Sequence, residues 1–144
     1  MVKPLYDFTI LIDTAPTSNL MAINALAAAD SVIIPIVPKF LDAKGLELLL
    51  RNVAQIRQQI NPKLEIEGIL LTMVDRRANF TREIISLIGN AYSENIKIFS
   101  EHIPRSVRAA ETSALGKSIF AHDPKGAVAA AYAALIREVL NCAA

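Results

Sequence analysis

One run constrains the fold more than any other: Ile66-Glu-Gly-Ile-Leu-Leu-Thr-Met-Val74 is almost continuously apolar. Strands that read this way are buried on both faces, which is the situation of a parallel sheet whose crossover helices cover it above and below. The flanks agree. Before it, Leu46, Leu49, Leu50, Val53, Ile56 and Ile60 follow helical spacing over about 43–60, and Asn61 and Pro62 stop the helix. After it, Asn79 or Thr81 can start a helix whose apolar face holds Ile84, Ile85, Ile88 and Tyr92.

The same alternation runs through the rest of the chain. Phe8-Thr-Ile-Leu-Ile12 predicts a buried strand, residues 20–29 a helix and 31–37 a second strand. Pro35 sets that second strand at an edge or near its end, because proline donates no ladder bond. Ile96-Lys-Ile-Phe99 predicts a fourth strand, and a short helix follows over about 106–114. Asp123 and Pro124 suit the N-cap and first turn of an alanine-rich final helix over about 124–141. The expected fold class is α/β, a parallel sheet flanked by helices, with residues 1–144 as one domain. Neither repeat nor linker interrupts it.

Composition narrows the function classes. With 53% hydrophobic and 20% charged residues, the chain is globular rather than disordered. A net charge of +1 does not advertise a nucleic-acid binder, although a neutral total can hide a local basic patch. The single cysteine, Cys142, cannot form an internal disulfide, which favours a reducing cytoplasm. No stretch approaches the ~18 apolar residues of a membrane span. The N-terminal apolar run stops at Asp13, so it is not read as a signal peptide.

Ligands of open α/β sheets sit beyond the carboxyl ends of the strands. Three strand ends therefore matter: Asp13 to Pro16, Thr72 to Arg77, and His102 to Arg105. Asp13 follows four residues of an apolar strand, the pattern of a carboxylate that helps hold Mg²⁺, usually through water. A strand-end aspartate also serves as a cap for the next helix, and the short pattern alone leaves both readings open. Gly116-Lys-Ser118 imitates a phosphate-binding loop. The required glycine five residues earlier is Glu111, however, and the residues leading in read as helix rather than strand. Arg76, Arg77 and Arg82 form one basic group, and Arg105, Arg108 and Lys117 another. They could meet phosphates, or simply pair with Asp75, Glu83, Glu101 or Glu111 at the surface. His102 and His122 have no partner at ligand spacing, so no zinc site is read.

These pieces, taken in order, resemble the ParA/Soj partition ATPases. Tyr6 to Pro16 with Ile23 to Asp30 looks like the Walker B strand and following helix. Ile66 to Met73 with Asp75, Arg76 and Asn79 is similar to the next family segment. Ile103-Pro-Arg-Ser-Val-Arg108, Glu111, Gly116-Lys117 and Asp123-Pro-Lys125 match the last. The resemblance implies a P-loop-NTPase-like fold, incomplete on its N-terminal side because the family's phosphate-binding loop lies well upstream of the residue matching Asp13. It further implies ATP and Mg²⁺ as cofactors of the intact protein, a homodimer with ATP between subunits, nonspecific DNA binding, and a ParB-like centromere-binding partner. It gives chromosome or plasmid partitioning as the process and the cytoplasm, on the nucleoid, as the location, with no membrane. By position, Asp13 would be the catalytic, Mg²⁺-side carboxylate and Pro16 part of the switch-like turn. Thr72, Met73, Pro104 and Arg105 would lie near the adenine, and Arg76, Arg105 and Arg108 would face DNA. Ala15 stands where the family has the first of two prolines, and the glycine expected soon after is replaced around Ser18 and Asn19. Without the upstream loop the chain is expected not to hydrolyse ATP by itself and to hold no cofactor, and its 8–12 strand to pair with another copy. The alternative is a relative lacking the loop, acting as a DNA-binding or dimerising regulatory module.

Overall fold

The computed structural model describes residues 9–14, 20–75 and 77–142. The chain order is α1 (Leu20–Ala28), β1 (Ser31–Ile36), α2 (Phe40–Gln59), β2 (Glu65–Leu71), α3 (Asn79–Tyr92), α4 (Val107–Leu115), α5 (Ile119–His122) and α6 (Ala127–Cys142). Strands β1 and β2 pair in parallel, Ser31 beside Glu65 and Ile36 beside Leu71, with an irregularity between Val32 and Ile33. A third extended segment lies along the other side of β2. Its Lys97 carbonyl accepts from Ile69 N–H at 2.8 Å, Phe99 N–H donates to Ile69 at 3.0 Å, and Ile103 N–H donates to Leu71 at 2.9 Å. This is where a fourth strand was expected at 96–99; it makes isolated parallel bridges instead, because the chain bulges through Ser100–His102 between its two points of contact.

Side-chain alternation sends two cores to opposite faces. Ile34, Ile36, Ile69 and Leu71 pack with Leu46 of α2 and with Ile84 and Ile88 of α3. Leu70 turns the other way and meets Phe99, Ile103, and Val128, Ala131 and Leu135 of α6. The sheet is thus covered on both faces, as the apolar runs require. A smaller cluster of Val53, Ile56 and Leu64 holds the inner side of α1 through Ile23 and Leu26. Asn61 does more than stop α2: its side-chain amide donates to the carbonyls of Leu26 (3.0 Å) and Ala29 (2.8 Å), closing the end of α1.

Pro35 fits its place. Ile36 turns its carbonyl towards β2, accepting from Thr72 N–H at 2.8 Å, so the preceding residue directs its backbone nitrogen to the outer edge. No ladder bond is lost there, and among the described residues β1 pairs on that one side only.

Three further expectations need correction. The segment predicted as a buried strand is irregular over 9–14, with Ile10, Leu11 and Ile12 exposed (Leu11 at 88%). An apolar run becomes a buried strand only where a neighbouring strand accepts its ladder, and none of the described residues does so. The final helix begins at Ala127, not at Pro124. Gly126 N–H donates to the Asp123 carbonyl at 3.0 Å, closing a four-residue turn with aspartate first, proline second and glycine last. The Asp123 carboxylate lies over Gly126, where any side chain would collide with it. Leu49 and Ile60, assigned to the apolar face of α2, are exposed at 40% and 52%.

Candidate functional site

The site begins where β2 ends. Thr72 carries the ladder one residue further, its N–H on the Ile36 carbonyl. Met73 then turns into the left-handed region, φ 49°, and is 56% exposed. That conformation costs a residue with a Cβ on the order of 1–2 kcal/mol and clusters at functional rims. It lets the chain present Met73 outward while Val74, 2% exposed, drops back into the core. Val74 N–H donates to Ile103 at 3.0 Å, and Arg105 N–H donates back to Val74 at 3.2 Å. Val74 and Pro104 form a parallel bridge. Thr72, Met73, Pro104 and Arg105, from two separate stretches of the sequence, are therefore brought side by side at one rim.

The chain leaves this rim in two directions. Asp75 Oδ1 accepts from Arg77 N–H at 3.0 Å, forming the turn into α3, where the Arg82 guanidinium donates to Asn79. After Arg105, which is exposed, α4 starts at Val107 and puts Arg108 on its first turn. Arg108 Nη1 lies 3.5 Å from Glu111 Oε2, and the same oxygen is 2.8 Å from His122 Nε2 on α5. The Arg108 side chain is 63% exposed, Glu111 42% and His122 14%. The hydrogen bond from His122 holds the Glu111 carboxyl below the usual carboxylate range, against a lesser effect of desolvation, and the Arg108 charge adds to it.

Gly116-Lys-Ser118 is a helix stop followed by a helix start. Gly116 adopts φ 60°, its N–H on the Thr112 carbonyl, and the Ser118 hydroxyl accepts from Ala121 N–H at 3.2 Å. Its backbone is committed to capping, so it cannot wrap a phosphate. Asp13 is exposed and lies outside any strand, and no described hydrogen bond ties it to the Thr72–Arg105 rim. Pro16 and Arg76 lie outside the described residues. No group of three or more His, Cys, Asp or Glu that could hold a metal occurs among the described residues. The rim thus presents an exposed thioether, a proline ring, a hydroxyl and a guanidinium on a backbone tied by hydrogen bonds. No described helix is long and apolar enough to cross a membrane.

The Glu111–His122 contact had no signal in the sequence beyond the helix stop at Gly116, which folds α5 back towards α4. A second unforeseen group joins α6 to the third extended segment. Glu138 accepts from Ser100 N–H (3.1 Å) and Ser100 hydroxyl (2.8 Å) and pairs with Lys97 at 3.2 Å.

Comparison with known proteins adds the following. A family model described as an AAA domain matches residues 1–66. The chain is 36% identical over 132 residues to the chromosome partitioning protein ParA of Caulobacter vibrioides, covering 92% of this chain and 49% of that one. It is 39% identical over 138 residues to the sporulation initiation inhibitor protein Soj of Bacillus subtilis, covering 96% and 53%. It thus spans about half the length of the curated relatives it matches. Among solved structures, cobyrinic acid a,c-diamide synthase from Mycobacterium smegmatis with bound ADP and magnesium superposes with a TM-score of 0.57 at 28% identity, over 63% of this chain and 36% of that one. The fold is accordingly P-loop-NTPase-like, as the resemblance implies.

Proposed function

We propose that this chain belongs to the ParA/Soj family of chromosome-partitioning proteins, in the half of those proteins that it spans, and that it supplies the base-side rim and the DNA-facing arginines of a partition ATPase. The supporting observation is the stitched rim, where Val74 N–H donates to Ile103, Arg105 N–H donates to Val74, and Met73 keeps a costly left-handed turn. Thr72, Met73 and Pro104 then border the adenine, and Arg105 stands at the border between base and DNA. Arg105 and Arg108, with Arg76 beyond the described residues, meet the phosphates of nonspecific DNA. Asp13 is the Mg²⁺-side carboxylate and Pro16 part of its switch turn, in a protein that also provides a phosphate-binding loop. ATP hydrolysis is largely phosphate positioning and charge stabilisation, and no part of this sequence supplies the positioning. The chain alone therefore does not turn over ATP. The intact protein works as an ATP-bound homodimer on the nucleoid, in the cytoplasm, with a ParB-like partner.

The test is DNA binding by the purified chain. A salt-dependent shift of unrelated DNA, lost in the Arg105→Ala/Arg108→Ala double variant, is expected. Binding unaffected by that pair would remove the proposed surface, and ATP hydrolysis above an Asp13→Ala control would overturn the account of Asp13. The exposure of Ile10, Leu11 and Ile12 favours a second reading, a dimerising regulatory module that associates through this segment. Light scattering that gives a monomer across a wide concentration range would exclude it.

A further inference from the structure

We infer that Glu111 is a built-in counter-charge that sets the DNA affinity of Arg108, and that His122 governs it. The inference rests on the DNA-facing reading of Arg108. Its ground is one oxygen atom. Glu111 Oε2 serves both Arg108 Nη1, at 3.5 Å, and His122 Nε2, at 2.8 Å. The guanidinium is the more exposed partner, so an incoming phosphate must compete with a carboxylate already beside it. The imidazole is largely buried and holds the carboxylate at the shorter distance. A neutral His122 donates one hydrogen bond to Glu111 and leaves its charge in place. A protonated His122 cancels that charge and releases Arg108 to a DNA phosphate.

The surroundings leave few other groups to do this. From α4, Glu111 brings charge to His122 by a described contact, and Arg108 reaches the same carboxylate oxygen. Along the chain, Asp123 follows it directly and Lys125 stands in the turn beyond, while Lys117 precedes α5. The part of α6 from Ala127 to Leu135 brings Tyr132 as its sole ionisable residue. The sign follows: a proton gained on His122 raises the local charge by one and tightens DNA binding. Glu111→Gln removes the counter-charge at every pH.

Fluorescence anisotropy of a labelled DNA duplex of unrelated sequence, titrated with the full chain between about pH 5.5 and 8.5, tests this. At the alkaline end, Glu111→Gln should bind about two- to fivefold more tightly than wild type, the weight of a partly exposed ion pair. Its salt dependence should steepen by about one phosphate contact. The tightening of wild type on acidification should disappear in Glu111→Gln and in His122→Gln, which keeps a donor but no charge, and persist in His102→Gln. Circular dichroism melts confirm that each variant is folded. Unchanged or weaker binding by Glu111→Gln, with Arg105→Ala/Arg108→Ala still impaired, would overturn the inference and leave the DNA reading intact. Absence of binding by every variant, Glu111→Gln included, would overturn both.

Discussion

Gly68 is where the third extended segment presses hardest on the sheet, and Gly68→Ala measures how tightly. A Cβ built there stands 2.9 Å from Phe99 Cε2, 3.2 Å from Phe99 Cδ2 and 3.0 Å from the Lys97 carbonyl oxygen. Neither neighbour is free to yield. Phe99 is 1% exposed in the core beneath α6, and the Lys97 carbonyl accepts from Ile69 N–H at 2.8 Å. Overpacking of this kind costs about 1–3 kcal/mol. Against it stands the loss of unfolded-chain entropy on replacing glycine, a gain of about 0.4–1 kcal/mol. The net expectation is a destabilisation of about 1–2 kcal/mol, which lowers the melting temperature by roughly 3–8 °C in a chain of this length. Thermal unfolding followed by far-ultraviolet circular dichroism reads it. Gly45→Ala is the control, because Gly45 lies exposed within α2 and a Cβ there meets nothing within 4 Å. That variant should melt higher than wild type by a few degrees, helix propensity being worth about 0.8–1 kcal/mol. The ring contact predicts, in addition, a coupling of at least about 0.5 kcal/mol between Gly68→Ala and Phe99→Leu in a double-mutant cycle. Gly68→Ala melting at or above wild type while Gly45→Ala rises would refute a tightly packed seam between β2 and the third segment.

Two further outcomes follow from contacts the sequence did not announce. Asn61→Ala strips the donor from the Leu26 and Ala29 carbonyls and should cost about 1–3 kcal/mol in urea unfolding; Asn61→Asp, which offers acceptors only, should not restore it, and a loss below about 0.3 kcal/mol would show that water replaces the amide. Burial raises the Glu138 pKa, but the Ser100 and Lys97 hydrogen bonds outweigh it and hold it below the ordinary value of 4.5. A depressed folded pKa contributes stability that is full above the unfolded value and disappears as pH falls through the folded one. The stability gap between wild type and Glu138→Gln should therefore be present at neutral pH and shrink below pH 4.5, and a gap constant down to about pH 3 would contradict the ion-pair account.

Much of this fold was legible because its signals are redundant. Helix spacing in 43–60 and 79–92, the apolar run at 66–74 and the proline at 35 each exclude alternatives, and together they fix a parallel sheet with helices on both faces. The rim was legible for a related reason: a parallel sheet delivers its strand ends to one side, so Thr72, Met73, Pro104 and Arg105 had to converge if the strands were correctly read. What escaped was set by contacts between distant residues. The 8–12 run states which environment suits it, two-sided burial, but whether a neighbour provides that environment is a property of the fold and not of the run. The left-handed turn at Met73 is forced by Val74 returning to the core, which no local preference of methionine signals. Asp123 and Pro124 carried a turn signal as strong as their capping signal, and Gly126 at the fourth position decides between the two.

The two halves of the proposed site rest on unequal foundations, and that inequality orders the experiments. Arg105 has its backbone tied to Val74, which is itself buried, so its side chain projects from a fixed point of the rim. Arg108 starts from the first turn of a helix and, among the described residues, is held back by Glu111. Asp13 has neither advantage: it lies in an exposed irregular segment, and a lone carboxylate binds Mg²⁺ too weakly to organise a reaction. Substitutions at Arg105 and Arg108 should therefore change what this chain does by itself. Asp13→Ala should leave both its DNA affinity and its melting temperature within error of wild type, measured in the same anisotropy and circular dichroism assays. A fall in either would mean that Asp13 already makes contacts that hold the 9–14 segment on the body of the protein, and the division between a supported arginine surface and an unsupported carboxylate would have to be abandoned.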